Sequence, residues 1–285
     1  MASILTNPSA MAALATMRAI DRDLATTQAR ISSGLKVESP ADNAAYWSIS
    51  TTMKTESSSL GVIGEALGMG AALADVATTA SQSLIDLLGQ IRERVVAAGE
   101  STNDKDKIQT ELEQLYTQMT DTVKSASFNG QNWLAATNKA GGALGTATNV
   151  ISGITSGQLQ FINVTLVAAD GKNTAQTVAT VTALRVANLS STAIGATLSV
   201  VDAAMKNLME LGSTFGAASA RMGIQKDFIS ALTDAIDRGI GSLIDADMNE
   251  ESTRLKALQT QQQLAVQSLS IANTSSENIL RLFQN

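Results

Sequence analysis

The 285 residues contain no cysteine and no histidine. Without cysteine there is no disulfide framework and no thiolate metal site. Without histidine the commonest general base is gone, and with it the Ser-His and Cys-His pairs and the usual zinc ligands. Aromatic residues make up 3% of the chain although 44% is hydrophobic, and there are two prolines. The apolar mass is Ala, Leu, Ile, Val and Met, small aliphatics that suit close helix packing better than a thick globular core. Lys and Arg (20) are outnumbered by Asp and Glu (26), giving a net charge of -6 and a pI near 4.8. The basic residues are scattered, with no stripe that would engage nucleic acid. Long apolar runs are also scarce. The most apolar window, Leu60 to Ala77, holds Glu65, Asp75 and several glycines, so no membrane insertion is expected. Residues 1–17 lack a basic n-region and are interrupted by Pro8, so no cleaved signal is expected either. The protein is expected to be cytoplasmic or exported by a route that needs no cleaved signal.

What the chain does have is a matched apolar stripe at each end. Leu255, Leu258, Gln262, Ala265, Leu269, Ala272, Ser276, Ile279 and Phe283 step alternately by three and four, the a/d seam of a coiled coil. At the other end Ala10, Met17, Leu24 and Ile31 recur every seven residues, with Leu14 and Gln28 between. A single short helix has no core, so neither stripe can be buried alone. The two ends are expected to pair with each other or with neighbouring molecules, and a protein with a sticky helix at each end suggests assembly.

Between them the spacing predicts a helix over 9–33, a break at Ser33-Gly34, and an N-terminal signal at Ser39-Pro40-Ala41-Asp42, with Ser39 as cap and Pro40 in the first turn. A long helix follows. Met53, Leu60, Ile63, Leu67, Ala74, Ala77, Leu84, Leu88, Ile91 and Val95 are spaced by three, four or seven. About 50 residues of helix would be roughly 75 Å long, a rod. After a turn at Gly99 to Asp104, Lys105 to Ser125 is expected to fold back antiparallel, with Ile108, Leu112, Leu115 and Met119 on one face. Asn129-Gly130 is a turn signal. Residues 135–199 are rich in Ala, Thr, Gly, Asn and Ser, and predict a β-hairpin from Gln158–Ala169 and Thr174–Leu184 around Asp170-Gly171-Lys172-Asn173. Helical spacing returns at Ile194. The expected fold is mainly α: a long antiparallel helical bundle or coiled coil with paired N- and C-terminal helices and a small central β-hairpin region. Its segments are 1–38, 39–134, 135–193, 194–247 and 248–285.

Candidate chemistry is thin. Gly68-Met69-Gly70 looks like half a dinucleotide loop, but lacks the third glycine and lies within a helix, where small residues serve close packing. Asp245-Ala246-Asp247-Met248-Asn249 has calcium-loop spacing, with Glu250 where the loop needs glycine. No catalytic group, cofactor or metal is proposed by the sequence.

The residues reached so far resemble bacterial flagellin. Ile4, Thr6-Asn7, Ile31-Ser32-Ser33-Gly34-Leu35-Lys36-Val37 and Asp42-Asn43-Ala44-Ala45 follow the family pattern at one end. Ser101-Thr102-Asn103, Ile108-Gln109 and Phe128-Asn129-Gly130 follow next. Gly223 with Gln225, Ile244-Asp245-Ala246-Asp247-Met248, Gln261-Gln262, Ala272-Asn273 and Ile279-Leu280 match in order at the other end. Tyr46-Trp47 stands where Gly-Leu is usual, a variant similar to flagellins of soil alphaproteobacteria. The resemblance implies a structural, non-enzymatic subunit that polymerises into an extracellular flagellar filament for swimming. It also implies export unfolded through the flagellar type III apparatus with a chaperone, and contacts with filament cap and hook-junction proteins. The seam residues Met17, Leu24, Ile31, Leu255, Leu258, Ala265, Leu269, Ala272 and Ile279 would form the filament interface. Only about 65 residues separate the long helices, so large outer domains should be absent. Host innate-immune receptors are a further implied partner. The segment that resembles the one read by the animal receptor is Gln90 to Val95. Arg92 and Glu93 match it, whereas Gln90 replaces an Arg and Arg94 a Leu. A hook–filament junction protein shares the terminal helices and is the alternative reading. A helical signalling scaffold is a third, and would need a membrane anchor or a uniformly helical centre.

Overall fold

The computed structural model describes residues 7–100, 103–136, 143–155, 157–184 and 191–282, the side chains of 191–193 and 275–282 excepted. Six helices and one hairpin follow in order: α1 (Pro8–Ser33), α2 (Ala44–Ala97), α3 (Lys105–Ser125), β1 (Ala147–Thr155), β2 (Gln158–Thr165), α4 (Thr174–Thr182), α5 (Ser191–Ile244) and α6 (Met248–Leu282). The mainly α architecture with one small antiparallel sheet is the one the sequence predicts. The chain divides into two compact units, 1–57 with 234–285, and 58–233.

Helix ends follow local chemistry. Asn7 caps α1 by accepting from the Ala10 amide, with Pro8 in the first turn, and Gly34 at φ 75° ends it. A left-handed residue there is cheap only for glycine. The start of α2 differs from expectation. Ser39 and Pro40 lie in a turn, and Asn43 is the cap, its Oδ1 accepting from the Ala45 and Tyr46 amides. Asp42 is occupied elsewhere: its Oδ2 accepts from the Glu38 and Ser39 amides and the Ser39 hydroxyl. Those Ser39 bonds hold its carboxyl below the ordinary 3.8. Asp104 caps α3 and is lowered likewise, chiefly by the Lys107 amide.

In the first unit α1 and α6 pack together. They run antiparallel, since the Asn7 amide reaches the Ala272 carbonyl, Gln262 reaches Asp21, and Arg30 reaches Glu251. Beside their junction the Lys36 and Val37 amides donate to the Ile244 carbonyl and the Ala246 amide donates to Gly34. Val37, Ile240 and Ile244 form a small apolar core there with Leu35, Met53, Ile236 and Leu243 around it.

In the second unit α2 and α5 are antiparallel. Going up α2, Gly64 meets Ile229, Asp75 accepts from Ser219, Ser81 meets Gly212, and Arg92 pairs with Asp202. The stripe Leu60, Ile63, Leu67, Ala74, Ala77, Leu84, Leu88, Ile91 and Val95 is buried, as the spacing requires. By length and composition α2 does pass as a candidate membrane span, with a mean hydropathy of 1.5 over an 18-residue window. This corrects the expectation from Leu60–Ala77, whose two acids are diluted by Ala, Leu and Val; in this unit the apolar stripe is core.

α3 returns along α2, with Arg94 paired to Glu111. Its buried face is Gln109, Leu112, Tyr116, Met119 and Val123. Ile108 and Leu115 sit at the edge of that face rather than at its centre, because the 109-112-116-119-123 spacing extends the stripe to Val123 and they do not lie on it. Asn129 (φ 50°) and Gly130 (φ 77°) form the tight turn, closed by paired bonds between Phe128 and Gln131.

The hairpin is real but one element earlier than expected. Gln158–Thr165 is a strand, and its partner is Ala147–Thr155, upstream. Thr174–Thr182 is a helix. Asn173 and Gln176 form a reciprocal capping box, and the buried residues Thr174, Thr177, Val178 and Val181 have helical spacing. β-branched content misled the strand expectation, because tertiary packing outweighs propensity. The Asp170–Asn173 loop is tied to α5, with Asn207 donating to Asp170 and the Ala169 amide donating to Glu210. The strand register shifts between Ile151 and Gly153, and the Ser152 carbonyl at that bulge accepts from Gln225.

Candidate assembly interface

The α1·α6 pair is built from one turned-in position in every three or four. On α6 these are Glu251, Leu255, Leu258, Gln262, Ala265, Leu269 and Ala272, and the positions between them are exposed. On α1 they are Ala10, Ala13, Met17, Ile20, Leu24, Thr27 and Ile31. Leu14 and Gln28, which the sequence suggested lay between the seam positions, are exposed instead. Each sits one residue off the stripe, and one residue turns a helix by about 100°. Ala13 and Thr27 take those places, small enough for the helices to approach. Ser276 and Ile279 have side chains outside the described residues, and Phe283 lies outside them altogether.

Polar residues in the seam are partnered rather than merely tolerated. Gln262 Nε2 donates to Asp21 Oδ1 at 2.8 Å. Glu251 is the one charged residue buried among those described. Its Oε1 accepts from Arg30 Nη1 at 3.0 Å and lies 3.8 Å from Arg254, while Oε2 has no partner. The sequence reading began the seam at Leu255 because a charge one step earlier looks like its end. The four-residue step from Glu251 to Leu255 is the signal that was available.

Outside the seam the pair exposes apolar side chains. Met11 (63%), Leu264 (58%), Val266 and Ile271 (69%) all face outward. Each would be unremarkable singly. Together, on two helices with one covered stripe each, they leave much of the apolar surface of the pair unburied.

Residues 4–139 match the bacterial flagellin N-terminal helical region, and 198–283 the bacterial flagellin C-terminal helical region. Flagellin C of Rhizobium meliloti (strain 1021) is 46% identical over an alignment covering all of both chains. The chain belongs to the bacterial flagellins. A flagellin of Brucella melitensis is 39% identical, again over the whole of both chains. A putative flagellar hook-associated protein from Vibrio parahaemolyticus shares the fold, with a TM-score of 0.56 at 17% identity over 72% of this chain and all of that one. This flagellin is a structural component of the extracellular flagellar filament, as its close relatives over full length establish.

The other residues singled out from the sequence are placed as follows. Gln90, Arg92, Glu93 and Arg94 lie on exposed faces of α2 in the second unit. Arg92 is engaged with Asp202 at 2.8 Å and Arg94 with Glu111 at 3.1 Å. Asp247 Oδ1 accepts from the Asn249 and Glu250 amides, so it caps α6. Among the described residues no group of three acids could hold a metal ion. Of the glycine pair on α2, Gly70 sits against Met222 and Val150, while Gly68 has only Lys226 nearby.

Proposed function

We propose that this flagellin polymerises through the α1·α6 pair, with Met17, Leu24, Ile31, Leu255, Leu258, Ala265, Leu269, Ala272 and Ile279 as its assembly seam. The supporting observation is incomplete burial. Between Ala10 and Leu24, and from Gln262 to Ala272, every seam residue is only half-buried. Ordering the backbone costs about 1–2 kcal/mol per residue, and two helices with many alanines offset little of that. Packing many such pairs side by side buries the outward Met11, Leu264 and Ile271 and supplies the remainder, so ordering is coupled to association. In this reading 1–38 and 248–285 are the inner coiled-coil segments. Segments 39–134, 135–193 and 194–247 form the body of the subunit: the long-helix part, the small β and loop region, and the returning helix. The same economy keeps the ends threadable for type III export with a chaperone, until cap and hook-junction proteins present a partner surface. The Gln90–Arg94 segment is the place for any host receptor contact.

The test uses Leu269→Lys, which adds a charge within the seam, and Ile271→Lys, which adds one on the outward face. Burying an unpaired charge costs several kcal/mol. Both variants should keep the circular dichroism of the unpolymerised wild type and fail to sediment when given filament seeds. Normal filaments from Leu269→Lys would sink the seam assignment. Normal filaments from Ile271→Lys would show that the outward face stays in solvent.

A further inference from the structure

We infer that Arg30 and Glu251 position the terminal helices by rooting them: the pair closes outward from this ion pair, which is already formed in the free subunit. The inference rests on the proposed role of α1·α6 in assembly and adds where that pair begins. Burial along the two helices is graded. Thr27, Glu251 and Leu258 are the buried residues of α1 and α6 among those described, and all lie towards the junction end. Beyond Leu24 on one helix and Gln262 on the other, no described seam residue is better than half-buried. Beside the ion pair three backbone bonds and the Val37, Ile240 and Ile244 core join the same two strands of chain. The root therefore has its own burial and its own hydrogen bonds, which the distal part lacks.

The charges stand where helices favour them. Arg30 is in the last turn of α1, and Glu251 is in the first turn of α6. The carboxylate is 7% exposed on its side chain, takes Arg30 on Oε1, and leaves Oε2 without a donor. Such a group tolerates no loss of its partner, because an uncompensated buried charge is strongly destabilising. It also selects one register. A seam of Ala and Leu at three-four spacing looks alike after a slip of seven residues, whereas Asp23 stands seven residues before Arg30. That slip would set carboxylate against carboxylate. A polar group at a core position is a known way to fix register.

Hydrogen exchange by mass spectrometry, on the free full-length subunit and on filaments, tests the inference. In the free subunit amides of 27–33 and 251–258 should be protected, while those of 10–20 and 262–272 exchange nearly as unfolded chain. In filaments all should be protected. Glu251→Ala, and separately Arg30→Met, should lower protection of 27–33 by about a hundredfold and leave 60–95 of α2 unchanged, which also shows that the variant has folded. The exchanged pair Arg30→Glu with Glu251→Arg should restore it. Protection that survives Glu251→Ala, or is not restored by the exchange of charges, would overturn the root. Loss of protection over the whole wild-type pair, 27–33 and 251–258 included, would overturn the root while leaving coupled ordering intact. Equal protection over the whole pair in the free subunit would overturn both.

Discussion

Replacing Gly70 by alanine adds one methyl where the space is already taken. A Cβ built there would stand 2.8 Å from Met222 Sδ, 2.8 Å from Val150 Cγ1 and 3.1 Å from Val150 Cγ2. Met222 is flexible and can give way. Val150 is β-branched and fixed on a paired strand, opposite Ile162, so relief there means moving the hairpin. Overpacking of this kind costs about 1–3 kcal/mol. Against it, alanine in a helix is favoured over glycine by about 0.5–1 kcal/mol. The net expectation is destabilisation by about 1–2 kcal/mol. The control is in the same helix: an added Cβ at Gly61 or at Gly89 meets nothing within 4 Å. There only the propensity gain remains, and alanine should stabilise by about 0.5–1 kcal/mol. The assay is urea unfolding of the unpolymerised subunit followed by circular dichroism. Adding Val150→Ala to Gly70→Ala should recover part of the loss, because the two sites touch. A stabilising Gly70→Ala, or one indistinguishable from Gly61→Ala, would refute the claim that this glycine is what lets the hairpin seat on α2 and α5.

Trp133 is buried and lies 6.4 Å from the Phe215 ring; Trp133→Ala should lower subunit stability by about 3–5 kcal/mol, read by urea unfolding. A short peptide inserted after Gly157, at the end of the hairpin, should leave filament growth intact in a motility and sedimentation assay. The same insertion between Asp170 and Asn173 should disturb folding, because that loop is bonded to Asn207 and Glu210. Asp42 and Asp104 have lowered carboxyl values in the folded chain, so their contribution is complete above 3.8 and is lost as pH falls below it. Acid titration by circular dichroism should therefore show helicity falling between about pH 4 and 2, and less steeply in Asp104→Asn, which can still cap without titrating.

Much of this protein was decided by local pattern. The three-four steps of Leu255 to Ala272, the Gly34 stop, the Asp104 cap and the buried stripe from Leu60 to Val95 all appear where the sequence placed them, because a helix's period and its ends are short-range physics. The family, too, was legible in ordered motifs at both ends. Three things needed the tertiary structure. Thr174–Thr182 has strand-like residues, and only its packing against α3 and its Asn173–Gln176 capping box make it helical. The partner of Gln158–Thr165 is a segment of Ala, Thr, Asn and Gly with no strong strand signal of its own, chosen because Val150 can rest on Gly70. The role of Glu251 depends on Arg30, more than two hundred residues away in sequence. A charge in an apolar stripe reads as the end of that stripe until the opposite charge is brought beside it, and no short-range pattern can report which distant residue will stand there.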